Sequence, residues 1–229
     1  MYTLFITNKN YSSWSLRPWV LMRALSIPFE ERLVPLPEGS CWETFRAFAP
    51  NGRVPCLHDG AKVVWDSLAI VEYLAERHAG VWPGDPDARA WARCVSSEMH
   101  SGFTALRGQC SMTCGVRVRL DAIDEPLRAD IARIDEIWAE GRSRFGGPCL
   151  AGPGFTAADA FFAPVVFRAQ SYGFSLSEAA AAYAEFLLGH PAMQEWYEAA
   201  LAEPWRDAAH EAEIAAAGAV LADFRLGTA

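Results

Sequence analysis

Apolar positions along the chain fall into two regimes. Over the first 80 residues, short apolar runs alternate with stretches of helical spacing. Tyr2 to Thr7 is rich in β-formers and reads as a buried strand. Leu16 to Ser26 carries Trp19, Val20, Leu21, Met22 and Leu25 at helical spacing and stops at Pro28. Phe29 to Leu36 suits a second strand, and Pro35, Pro37 and Gly39 mark a loop. Cys41 to Phe48 predicts a short helix. Val54 to His58 and Lys62 to Trp65 form a hairpin about Asp59-Gly60, and Asp66-Ser67 opens a helix to about His78. The order β-α-β-α-β-β-α predicts a small mixed sheet with helices on its faces.

The run "VWPGDPD", Val81 to Asp87, holds two prolines and a glycine and reads as a linker. Everything beyond it reads as helical: Ala88–Leu106, Leu127–Phe145, Thr156–Ala169, Ala179–Leu188 and Ala192 to about Leu201. Thr156 and Asp159 form a capping box, which is a folding signal without catalytic content.

Composition narrows the function. The 229 residues suffice for one large domain or two small ones with a real core. With 20 basic and 28 acidic residues the net charge is −8, and no basic block appears, which argues against nucleic acid or anionic membrane as partners. No apolar run approaches the roughly 18 residues that span a bilayer. Cysteines 41, 56, 94, 110, 114 and 149 are scattered without a CxxC and read as free thiols in a reducing cytoplasm. Cys110 and Cys114 could share a helix face near His100, but half of a zinc ligand set is missing, so no metal is expected.

Three features carry candidate chemistry. In "NKNYSSWSLRPW", Pro18 is best tolerated in the first helical turn, which places the N-cap at Ser15 and leaves Ser12 and Ser13 in the loop at the positive end of the helix. In "RVPCL", Pro55 either starts an edge strand in trans or follows a cis bond that turns the Val54 backbone toward an extended peptide. In "WDSLAIVEYL", Asp66 and Ser67 either cap a helix or hold the ammonium and carboxylate of an amino-acid end.

Taken in order, these features resemble the glutathione transferases over essentially the whole chain. "YSSWSLRPW" is similar to the Ser-Ser-Cys-Ser-Trp-Arg run of the serine-type zeta class, with Trp14 where that motif has cysteine. It is closer still to a bacterial group marked by "NKxYSSWSLRPW" and "EMHSGF", here Glu98 to Phe103. The resemblance implies a thioredoxin-like domain over 1–81, a linker over 82–87, an all-helical domain over 88–229, a homodimer, and a cis Val54-Pro55 bond. It implies glutathione as co-substrate. Asp66 and Ser67 would take its γ-glutamyl end, Val54 with Pro55 its cysteinyl unit and Arg53 a carboxylate, with Ser13 and Trp14 beside the thiol. Aligning on Arg17 makes Ser12 the catalytic serine, a hydrogen-bond donor that stabilises the thiolate. Met99 and Phe103 share a helix face and are expected to meet a second, electrophilic substrate. Transfer to an electrophile is the leading reading; an isomerase or peroxide reductase on the same site, or a non-catalytic binding module, stays open.

Overall fold

A computed structural model describes residues 1–225. The N-terminal half runs β1 (Tyr2–Ile6), α1 (Ser13–Ala24), β2 (Phe29–Leu33), α2 (Cys41–Arg46), β3 (Cys56–Asp59), β4 (Lys62–Trp65) and α3 (Ser67–Ala75). Its sheet has the order β2-β1-β3-β4. β1 pairs parallel with β2, Leu4 opposite Glu31, and antiparallel with β3, Leu4 opposite Leu57. The hairpin β3–β4 closes at Gly60, whose φ of +60° suits glycine. This is a thioredoxin-like arrangement, with Leu4, Ile6 and Leu57 in the core beneath α1 and α3.

The C-terminal half contains α4 (Pro86–Ser101), α5 (Thr104–Gln109), β5 (Val116–Leu120), α6 (Glu125–Phe145), α7 (Ala157–Tyr172), α8 (Glu178–Leu188), α9 (Pro191–Ala202), α10 (Ala208–Ala217) and β6 (Gly218–Asp223). α7 is the axis of the molecule: nearly every residue in it is buried, and it packs on α1, α4 and α8. Its capping box is present. The Asp159 carboxylate accepts the Thr156 N–H at 2.9 Å and the Thr156 hydroxyl at 3.1 Å. Only residues 82–85 of the expected linker lie outside the helix, as bends leading to the N-cap Asp85; Pro86 and Asp87 already belong to α4, and Val81 and Trp82 are buried. Among the described residues no helix is long and apolar enough to cross a membrane.

The helical half also departs from the sequence pattern. The helix expected over Ala88–Leu106 is two helices. Gly102 is extended, Phe103 adopts φ +57°, and the chain restarts as α5. A β-carbon at Gly102 would sit 2.9 Å from the Glu98 carbonyl oxygen, and Phe103 is 7 % exposed, so its ring is buried by the break. The second departure is a two-stranded antiparallel sheet, β5–β6, joining segments about a hundred residues apart. Its first strand, Val-Arg-Val-Arg-Leu, has the period-2 alternation of a half-buried strand. Gly218 is required at the pairing point, because a β-carbon there would meet the Arg119 carbonyl oxygen at 2.1 Å.

Candidate active site

The serine turn follows β1 and enters α1. Ser12, not Ser15, is the N-cap of α1, which corrects the sequence expectation. The Ser12 oxygen accepts the Ser15 N–H at 3.3 Å, and its hydroxyl donates to the Ser15 oxygen at 2.7 Å. Ser15 is fully buried and its oxygen also accepts the Thr7 N–H at 3.4 Å. Pro18 therefore lies inside the helix, as does an unbroken buried run from Ser15 to Met22. Burying that run against α7 and α9 outweighs the roughly 3 kcal/mol that an interior proline costs.

Ser13 is the first helical residue. It is half-buried, and its hydroxyl has no partner among the described residues. Its backbone N–H bonds to the Tyr11 carbonyl. Trp14 follows, with the Arg17 guanidinium 4.2 Å and the Arg107 guanidinium 4.8 Å from its ring, and His100 edge-on at 5.3 Å.

The turn is fastened from behind by the C-terminal half. Glu203, buried, accepts the Lys9 N–H at 2.6 Å and the Asn10 N–H at 3.2 Å. The Asn10 side-chain oxygen accepts the backbone N–H groups of Cys114 and Gly115, and the Trp196 indole donates to the Lys9 carbonyl at 3.0 Å. Burial pushes the Glu203 carboxyl up from its ordinary value against the pull of those two N–H groups. The Tyr11 hydroxyl donates to Glu211 at 2.6 Å; burial, then that bond, push it up to about 12.

These walls enclose a cleft of about 450 Å³. Ser12, Ser13 and Trp14 line one side, and Arg53 and Val54 face them from the loop before β3. The Val54-Pro55 bond is cis, and Pro55 is buried. Cys41 and Phe45 come from α2, and His210 and Glu213 from α10. Asp66 and Ser67 are not part of the cleft lining; they head α3 on its flank. Asp66 has φ +75°, a strained value for a residue with a side chain. One of its carboxylate oxygens caps the helix by accepting the Leu68 N–H at 2.8 Å, and the other lies 3.4 Å from His100 Nε2. The Ser67 hydroxyl is buried and receives Arg17 Nη1 at 3.5 Å, so it faces the Arg17 side chain. Burial lowers the basicity of Arg17, and the Arg107 and Arg168 charges add to the effect. Burial foremost, with the Arg17 and Arg107 charges, lowers His100 despite the opposing Asp66 charge.

Met99 and Phe103 stand elsewhere than the sequence suggested. Both are core residues, 2 % and 7 % exposed. Because the helix breaks at Gly102, the wall they were expected to form is built by Arg107, Ser111 and Met112, with Arg168 from α7. Pattern reading passed over these residues. Arg168 had a signal, a lone charge in the apolar run "APVVFRAQ". Cys110 and Cys114 are buried thiols, the latter donating to the Lys9 carbonyl, and His100 faces Trp14 and Arg17 instead. No group of three or more metal-ligating side chains occurs among the described residues.

Comparison with known proteins places this geometry. Residues 11–77 match the family model "Glutathione S-transferase, N-terminal domain", and residues 117–199 match "Glutathione S-transferase, C-terminal domain". A probable maleylacetoacetate isomerase of Caenorhabditis elegans is 33 % identical over 97 residues, 42 % of this chain and 45 % of that protein. Glutathione S-transferase 1 of Manduca sexta is 40 % identical over 98 residues, 39 % of this chain and 44 % of that protein. The matched stretches thus span under half the length of both relatives. A theta-class glutathione S-transferase of Xanthomonas axonopodis pv. citri, solved with glutathione bound, superposes with a TM-score of 0.63 at 24 % identity, covering 86 % of this chain and 96 % of that one; it supports the fold.

Proposed function

Because this chain belongs to the glutathione S-transferase family, we propose that the cleft binds glutathione and ionises its thiol for attack on a small electrophile. The observation that carries this reading is the free hydroxyl of Ser13 at the N-terminus of α1, opening on the same cleft as Val54 and Arg53. The Asp66 carboxylate takes the ammonium of the γ-glutamyl end, and the N-terminal turn of α3 at Ser67 its carboxylate. The Val54 backbone pairs with the cysteinyl unit, and Arg53 reaches a carboxylate.

Serine cannot serve as a base near neutral pH. It can donate a hydrogen bond to the thiolate, and the positive end of α1 adds to the field. Lowering a thiol by two units from its free value of about 8.5 requires about 2.7 kcal/mol. One charge-assisted hydrogen bond together with the helix end is of that size. Alignment on Arg17 favours Ser12 as the donor. The geometry favours Ser13, since the Ser12 hydroxyl is committed to Ser15. In the reaction the thiolate sulfur forms a bond to the electrophilic carbon and the leaving group departs with its electron pair. The thiol proton passes to solvent when the thiolate forms.

The test is calorimetric titration with glutathione, with the thiolate absorbance of the complex followed against pH. Micromolar binding with a thiol titrating below its free value supports the reading. Absence of binding overturns it.

A further inference from the structure

The charge of the cleft is opposite to that of the chain. The protein carries −8 overall, yet the cleft lining holds three arginines, Arg53, Arg107 and Arg168, against one carboxylate, Glu213. Arg53 is exposed on the glutathione side. Arg107 and Arg168 stand together on the far wall, contributed by the C-terminal half. Arg168 is 6 % exposed; its Nε donates to the Cys110 carbonyl at 2.7 Å and its Nη1 to the Pro164 carbonyl at 3.4 Å. Cys110, which anchors Arg168, lies three residues beyond Arg107; both side chains line the same cleft, and the Arg107 charge acts on Arg168. Arg107 Nη2 donates to the Met99 and His100 carbonyls.

Every hydrogen bond these two side chains make among the described residues goes to a backbone carbonyl; none goes to a carboxylate. The nearby acids are engaged elsewhere. Glu213 accepts the Ser111 hydroxyl at 2.7 Å, Asp130 accepts the Leu106 N–H at 2.9 Å, and Asp66 caps α3. Arg168 Nη2 has no hydrogen-bond partner among the described residues. Burial, opposed in part by the Tyr172 and Cys110 groups, and then the neighbouring Arg107 charge pull Arg168 down to about 10. Asp130 offsets part of the Arg107 charge, but a half-buried and a buried guanidinium on one wall still repel each other. A carboxylate between them relieves that repulsion and matches the planar donor geometry of guanidinium.

We propose that Arg107 and Arg168 form an anion subsite and that the electrophile taken by this cleft carries a carboxylate. The assignment of that carboxylate to the electrophile rests on the glutathione reading above. The peptide's own ends are accounted for at Val54, Arg53, Asp66 and Ser67, on the N-terminal elements, while the arginine pair lies across the serine turn, with Arg107 stacked on Trp14.

The test uses 4-chloro-3-nitrobenzoate and 4-chloro-3-nitrobenzamide, which share ring and leaving group and differ in one charge. In either, the glutathione thiolate displaces chloride, which leaves with the carbon–chlorine electron pair. With each kcat/KM divided by its uncatalysed rate, the wild type should favour the benzoate at least about 10-fold, equivalent to roughly 1.4 kcal/mol. Arg107→Met should bring that ratio to about one while leaving glutathione affinity unchanged; Arg107 is half-buried, and the variant's melting curve verifies folding. Arg168→Lys keeps the charge but loses the fork, and should reduce the ratio in part. A wild-type ratio of one or below, or a ratio untouched by Arg107→Met, overturns the proposal. So does a fall in glutathione affinity in that variant, which would place the arginines on glutathione. A second arm needs neither glutathione nor turnover: calorimetric binding of 3-nitrobenzoate against 3-nitrobenzamide to the protein alone. Tighter benzoate binding that Arg107→Met abolishes supports the subsite even if glutathione does not bind. Equal binding of the two probes overturns it.

Discussion

Ser12 and Ser15 share a 2.7 Å hydrogen bond in which Ser12 is the donor, while the Ser12 oxygen accepts the Ser15 N–H. The pair locks the first turn of α1 and leaves the neighbouring Ser13 hydroxyl free toward the cleft. Ser13→Ala should raise the pKa of glutathione's bound thiol and lower turnover about 10-fold or more, equivalent to roughly 1.4 kcal/mol, with little change in glutathione affinity. Ser12→Ala should cost about 1 kcal/mol of stability, as loss of an N-cap does. Titrating the bound thiol in the Ser12, Ser13 and Ser15 alanine variants decides among them. A raised thiol pKa in Ser12→Ala alone would return the role to the serine that alignment selects.

Asp66 is asked to do two things, cap α3 with one carboxylate oxygen and offer its charge to an ammonium group. Asp66→Asn separates them, because asparagine caps about as well as aspartate. The variant should melt close to the wild type and bind glutathione more weakly by roughly 1–3 kcal/mol, the worth of a hydrogen bond between charged groups. Calorimetry beside a melting curve measures both. Unchanged affinity removes Asp66 from the site.

Glu203 fixes the serine turn by accepting two backbone N–H groups in a buried setting. Its carboxyl is raised in the folded protein, so the folded state binds its proton more tightly than the unfolded chain does. The sign follows: this group's contribution is most favourable below the ordinary glutamate value and is lost as pH rises through the raised one. Glu203→Gln should remove that pH-dependent component from urea-unfolding curves. It should also cost about 1–3 kcal/mol, because an amide supplies one acceptor where two N–H donors need partners. Turnover should fall with it, since Lys9 and Asn10 lead directly into Ser12. A pH profile unchanged by the substitution would mean another group carries it.

Assembly is the fourth expectation. Trp65 is 43 % exposed on β4, beside Val63, Val64 and Leu68, and Trp42 and Trp205 are 56 % and 43 % exposed. Large exposed aromatics of this kind favour association, and the chain should sediment as a homodimer at micromolar concentration. A single 25.2 kDa species would refute this.

The sequence by itself determined whatever depends on neighbours in the chain. The alternation of strands and helices through α3, the Asp59-Gly60 hairpin, the Asp66 cap and the Thr156–Asp159 box are all local, because periodicity and capping act over three or four residues. That locality also set the limit. Pro18 argued for a cap at Ser15, but burial of Ser15 to Met22 against distant helices placed the cap at Ser12. Smooth helical spacing from Ala88 to Leu106 hid the break that buries Phe103 and hands the cleft wall to Arg107. β5 and β6 exist only because two segments a hundred residues apart meet. The grip of Glu203 on Lys9 spans 194 residues, and the anchoring of Arg168 to the Cys110 carbonyl depends on α7 lying beside the end of α5. Such contacts have no signature in local pattern, since their free energy is realised only when the chain closes on itself.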